Sequence, residues 1–121
     1  MKEDNQIVEK SKAFAIRIIR LFQHLNKTKQ EYILSKQVLR SGTSIGANVK
    51  EANSAQSKAD FIAKMQIALK ETSETEYWLE LLMETGYITE KEGSSMLADC
   101  QELLKMITAI LKSTKSAQGN K

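Results

Sequence analysis

Residues 41–57 read SGTSIGANVKEANSAQS, and the reading of this stretch decides the fold. Gly42 and Gly46 stand four apart inside a run that otherwise repeats like a helix. Each glycine costs a helix interior about 1 kcal/mol relative to alanine. A helix carrying both is explained if their missing side chains let a neighbouring helix, or a bulky aromatic, come close. The competing reading is a local break near Gly42. The flanking pattern favours one helix over about 29–54. Leu34, Val38, Ser41, Ile45, Asn48, Ala52 and Ala55 alternate by four and three, a heptad-like seam interrupted by Ser41 and Asn48. Gly42 and Gly46 lie on the adjoining stripe with Leu39, Val49 and Asn53.

The same periodicity extends in both directions. Ile7, Phe14, Ile18, Leu21 and Leu25 mark a first helix over about 5–25. Thr28 with Glu31 reads as a capping box opening the second. Ser57 precedes Asp60 by three and starts a third helix, 57–85, with Phe61, Met65, Ala68, Thr72, Thr75, Leu79 and Leu82 as its buried stripe. Gly86 is its natural C-terminal stop. Thr89 and Glu92 form another capping box, opening a fourth helix over about 89–113. There Leu97, Cys100, Leu104, Ile107 and Leu111 are the expected core positions. Residues 114–121 are expected to fray.

The chain has 121 residues and no proline, and 41% of its residues are hydrophobic. That suits one helical domain spanning 1–121 and argues against a turn-rich strand fold. Long amphipathic helices with short links predict an all-α, antiparallel, up-down-up-down four-helix bundle. A single cysteine forms no internal disulfide. The opening MKEDNQIVEK lacks the apolar run of a signal peptide, and no stretch is long enough to span a bilayer. These features predict a cytoplasmic protein with no membrane role.

Charge is unevenly spread. Residues 1–50 hold ten Lys/Arg and four Asp/Glu, net +6; residues 51–104 hold four and eleven, net −7; residues 105–121 hold four and none, net +4. Opposite-signed antiparallel helices lying side by side explain this. So does self-association, or a polyanionic partner. Between 10 and 40 there are eight bases and one acid, net +7. Arg17, Arg20, Lys27, Lys29, Lys36 and Arg40 are the candidate contacts to an RNA or DNA backbone, against the alternative of a solvated basic face. Few aromatics are available for stacking, which disfavours base-specific recognition.

Catalytic chemistry has little to stand on. One histidine, His24, and one cysteine, Cys100, far apart, offer neither a metal-ligand set nor a nucleophile–base pair. The expectation is no enzyme, no metal and no cofactor. Ser41, Ser44, Asn48 and Glu74 form a candidate polar core or interface: if helices two and three are antiparallel, Glu74 comes near Arg40, Ser44 and Asn48. Such a seam fixes register or subunit pairing.

The pattern Arg40-Ser41-x-x-Ser44-Ile45-x-x-Asn48-Val49-x-Glu51 resembles the second helix of the four-helix bundle proteins named for the S23 ribosomal protein, or for the protein encoded in intervening sequences of 23S ribosomal RNA genes. Residues 57–89, SKADFIAKMQIALKETSETEYWLELLMETGYIT, resemble that family's third helix and Gly-Tyr turn. Ala52 stands where the family often has glycine, and Lys70-Glu71 where Gly-Ser is common. The resemblance implies an antiparallel bundle, often assembled as a homopentamer. It also extends to a retroelement accessory protein that binds nucleic acid and a reverse transcriptase. It therefore implies a homo-oligomer with a nucleic-acid or protein partner.

Overall fold

The structure is a computed structural model and describes residues 5–119. Four helices follow one another: α1 (Asn5–Lys27), α2 (Leu34–Asn53), α3 (Lys58–Glu84) and α4 (Glu90–Gly119). Each packs against its chain neighbours, and α4 closes the ring on α1. Cross-helix partners fix the directions. Ile18 meets Gly42 while Ser11 meets Gly46; Ser41 meets Thr75 while Glu51 meets Lys64; Lys10 meets Glu102 while Arg17 meets Asp99. In each pair the numbers run in opposite senses, so neighbouring helices are antiparallel. The fold is an all-α four-helix bundle.

The glycine question has a geometric answer. α2 is unbroken from Leu34 to Asn53. A Cβ added at Gly42 would lie 2.7 Å from Ile18 Cγ1, and one at Gly46 would lie 3.4 Å from the backbone of Ser11. Both glycines therefore face α1, and the contact at Gly42 is the tighter. Ile18 is fully buried. It fills the space an α2 side chain would otherwise occupy.

Capping chemistry sets most helix ends. Ser57 Oγ accepts from the Asp60 N–H at 3.0 Å, opening α3. At its far end Gly86 has φ +83°, the left-handed conformation that favours glycine. There the Tyr87 N–H reaches Leu82 O at 2.9 Å and the Gly86 N–H reaches Met83 O at 3.2 Å, a Schellman stop. Thr89 and Glu92 bond reciprocally: the Glu92 N–H donates to Thr89 Oγ1 at 3.0 Å, and the Thr89 N–H donates to Glu92 Oε1 at 3.1 Å.

Three expectations need correction. First, α2 starts at Leu34 rather than 29. Thr28 directly follows α1 and closes its end, its N–H bonded to His24 O at 2.9 Å. Glu31 does cap α2, but from a loop. Its carboxylate accepts from the N–H groups of Ile33, Leu34 and Ser35 at 3.2, 2.9 and 2.7 Å. An acid there satisfies orphan donors and complements the positive end of the helix dipole. Second, the buried stripe of α4 is Met96, Cys100, Leu103, Ile107 and Leu111, with Leu97 and Leu104 only half-buried. The two stripes differ by one-residue steps, and packing against α3 selects between them. On α2, likewise, Val49 is buried where Asn48 was expected to lie on the seam. Third, α4 continues through Gly119 instead of fraying from 114; residues 120 and 121 lie outside the described residues.

The core is one cluster in which Phe14, Ile18, Ile45, Leu79, Leu82 and Ile107 are among the buried residues. Its few polar members are satisfied locally. Thr75 Oγ1 donates to Ser41 Oγ at 2.8 Å in the buried α2–α3 seam, and Thr72 Oγ1 donates to Ala68 O at 2.7 Å. Burying a hydroxyl without a partner would cost about 1–3 kcal/mol.

Candidate nucleic-acid interface

The basic residues singled out in the sequence fall into two groups on opposite sides of the α1–α2 pair. Arg17 and Arg20 lie three apart on α1 and share a side with His24 and Lys27. Lys29 follows in the connection to α2. From Arg17 to Lys27 the stripe covers about 15 Å at 1.5 Å per residue. Lys36 is exposed in the first turn of α2. Arg40 is set apart from them. It turns toward α3, where its guanidinium pairs with Glu71 at 3.3 Å and with Glu74.

Arg17 is also partnered. It donates to Asp99 Oδ2 at 2.6 Å and to Ser95 Oγ at 3.1 Å, which ties α1 to α4. About two turns earlier on the same seam, Lys10 reaches Glu102 at 2.8 Å. Arg20 has no ion-pair partner among the described residues, and neither has Lys27, Lys29 or Lys36. The stripe therefore keeps several uncommitted cations beside one that is held in place.

Two cavities lie along the α1–α4 seam. One, of about 200 Å3, is lined in part by Phe14, Leu103 and the Lys10–Glu102 and Arg17–Asp99 pairs. The other, of about 250 Å3, opens among Arg17, Arg20 and His24. Its remaining lining is Leu21, Ile88, Glu92 and Met96. Sequence reading missed the contributions of His24, Ile88 and Met96, because only tertiary packing brings the α3–α4 connection and the start of α4 against α1.

The polar residues of the α2–α3 seam separate by depth. Ser41 is fully buried against Thr75. Ser44 and Asn48 turn back on their own helix, to Arg40 O at 2.6 Å and Ser44 O at 2.9 Å respectively, rather than reaching Glu74. Glu74 accepts from Trp78 Nε1 at 3.1 Å and from Arg40. The Trp78 N–H, and then Arg40, hold its carboxyl below the usual carboxylate range. The Thr89 backbone N–H and then its hydroxyl do the same for Glu92. Burial first, then nearby Glu76, Asp99 and Glu80, push the Cys100 thiol up to about 12. At that value Cys100 is a buried apolar group at neutral pH, not a thiolate. Among the described residues no group of three His, Cys, Asp or Glu is placed to hold a metal ion, and no helix is long and apolar enough to cross a membrane.

Residues 3–109 match the family described as 23S rRNA-intervening sequence protein. The chain belongs to this family. A solved structure from Bacteroides thetaiotaomicron VPI-5482, described as a protein with unknown function from the S23 ribosomal protein family, is 54% identical. That similarity covers 93% of this chain and 99% of the other, with a TM-score of 0.89. No curated protein matches. Family membership thus joins the bundle geometry in fixing the fold, and the chemistry has to be argued from the surface.

Proposed function

We propose that this family member is a non-enzymatic, cytoplasmic, homo-oligomeric bundle that binds the backbone of RNA or DNA. The observation that carries the reading is the α1 stripe of Arg17, Arg20 and Lys27, followed by Lys29 in the connection and by exposed Lys36 one turn before Arg40 on α2; among the described residues all of these but Arg17 are without ion-pair partners. Phosphate binding needs a positive surface and little else. The stripe is modest on one subunit; repeated around an assembly of about five, as the resemblance implies, it becomes a continuous basic surface. Arg40 belongs to the α2–α3 network in this reading, not to the phosphate contacts.

Filter binding of a mixed-sequence RNA across a salt series is the test. Retention at low salt with a steep loss at higher salt is the expected result. Arg20→Gln should weaken binding across all sequences and reduce the salt slope by about one. No retention of any RNA or DNA at low salt overturns the reading.

A second reading has its own observation. Ile16, Ile19, Ile33 and Tyr77 are large, apolar and more than 40% exposed. Exposed apolar groups together with segments of opposite charge suit a protein-interaction scaffold. In that case salt changes the size of the assembly and leaves nucleic acid unbound throughout.

A further inference from the structure

The cavity between Arg17, Arg20 and His24 differs from the rest of the basic stripe because its floor is apolar. Leu21 is half-buried, and Ile88 and Met96 are each only 5% exposed. At about 250 Å3 the cavity falls below the roughly 300 Å3 at which drug-sized pockets begin, so it suits a single small ring system. Its walls are polar in a particular way. Arg17 is held by Asp99 and Ser95, which fixes its guanidinium plane at the mouth. Glu92 is engaged in capping α4 through Thr89. Arg20 and His24 remain as the unengaged donors at the rim.

We propose that this cleft seats one unstacked base of a single-stranded nucleic acid whose phosphates lie along Arg20, His24 and Lys27. The proposal rests on the backbone-binding reading above and goes past it. Phosphate contacts alone treat single and double strands alike, and they carry no information about bases. An aliphatic floor beside a fixed guanidinium plane does discriminate. It contacts the face of a base, which a duplex keeps stacked and a single strand can splay out. The floor offers no hydrogen-bonding side chain, so the cleft selects strandedness and not base identity. A phosphate on Arg20 and a base over Met96 are reachable by one nucleotide, because the cations and the floor line the same cavity.

The test uses the whole chain with labelled Met, Ile and Leu methyl groups. The probes are a ten-nucleotide mixed-sequence RNA and the duplex it forms with its complement. The expected result is that the methyls of Met96, Ile88 and Leu21 shift with the single strand and stay unmoved with the duplex. The single strand should also bind about five- to a hundredfold tighter, the range that one base contact spans. Met96→Gln should bring that ratio toward one while leaving duplex binding unchanged, measured below the lower melting temperature that a buried amide imposes. Equal affinities with unmoved methyls in the wild-type chain overturn the base seat and leave the backbone reading standing. Failure of both RNAs to bind at low salt overturns both.

Discussion

Helix α1 meets two neighbours in two different ways. Toward α2 it packs against bare backbone: Ile18 sits over Gly42, Ser11 lies over Gly46, and Asn26 donates to Ser35 at 3.1 Å. Toward α4 the cross-seam polar contacts are exposed ion pairs, Lys10–Glu102 and Arg17–Asp99. Cavities open along both seams, one of about 370 Å3 beside Ser11 and Gly46 and two smaller ones beside the ion pairs, so the close approach toward α2 is concentrated at Gly42 and Ile18. Close approach maximises dispersion contacts and excludes water, so the α1–α2 seam contributes to stability. Exposed ion pairs contribute about 0–1 kcal/mol each. The α1–α4 seam therefore holds the fold weakly, and this leaves its polar side chains available for a partner. In a small bundle the place where packing is least demanding is where a binding surface costs the fold least.

The largest expected effect is at the tight seam. Gly42→Leu forces a side chain onto Ile18 and should destabilise the bundle by about 3 kcal/mol, read by chemical denaturation. Gly46→Leu should cost less, because its nearest contact is 3.4 Å rather than 2.7 Å. Equal costs, or none, would remove the distinction between the two glycines and weaken the account of the seam.

Next comes the cap that presents Glu92 to the loose seam. Thr89→Ala should cost about 1 kcal/mol through loss of the cap. Glu92 and Glu74 are both held below the ordinary carboxylate range in the folded chain. Each therefore contributes stability that is complete above the unfolded carboxylate pKa of about 4.3. That contribution is lost as pH falls through this value and on through the lower folded one. Urea unfolding between pH 7 and 3 should show this acid limb, and Glu92→Gln should flatten it. An acid limb identical to that of the wild-type chain would contradict the assignment.

The smallest stability effect is expected at the loose seam itself. Asp99→Asn with Glu102→Gln should change stability by less than about 1 kcal/mol for each pair. The same pair of changes removes two acids beside the basic stripe, and so should raise retention of duplex RNA, which makes no use of the Arg17 plane, at a fixed low salt concentration. Stability and binding moving in opposite directions would sharpen the comparison. A large stability loss would show that the α1–α4 seam holds the fold after all.

Much of this architecture is legible in the residues. The expected stripe of α3 is buried from Met65 through Ala68, Thr72, Thr75, Leu79 and Leu82, while Phe61 at its start is only half-buried. Ser57, Gly86 and Thr89 act at the helix ends their chemistry predicts. These are local rules, and local rules survive folding. What was not legible depends on geometry between segments. Thr28 and Glu31 have capping-box spacing, yet the chain turns through Gln30 at φ 54° and delivers Glu31 to a helix beginning at Leu34. On α4, apolar residues on both sides of Cys100 make two neighbouring stripes plausible, and only packing selects Met96 and Leu103. For the surface, the shared face of Arg17 and Arg20 follows from their spacing. The separation of Arg40 follows only once α3 is seen to supply Glu71 and Glu74. The apolar floor beside Arg17 needs α4 and the connection before it, which no local pattern places there.

The central claim is that the bundle assembles and presents its α1 stripe to nucleic acid. Light-scattering mass on a sizing column, at low and high salt, with and without a short mixed-sequence RNA, tests it most directly. The account predicts an assembly of about five chains that takes up RNA at low salt and releases it at high salt. A monomer whose mass is unchanged by RNA at either salt would contradict it.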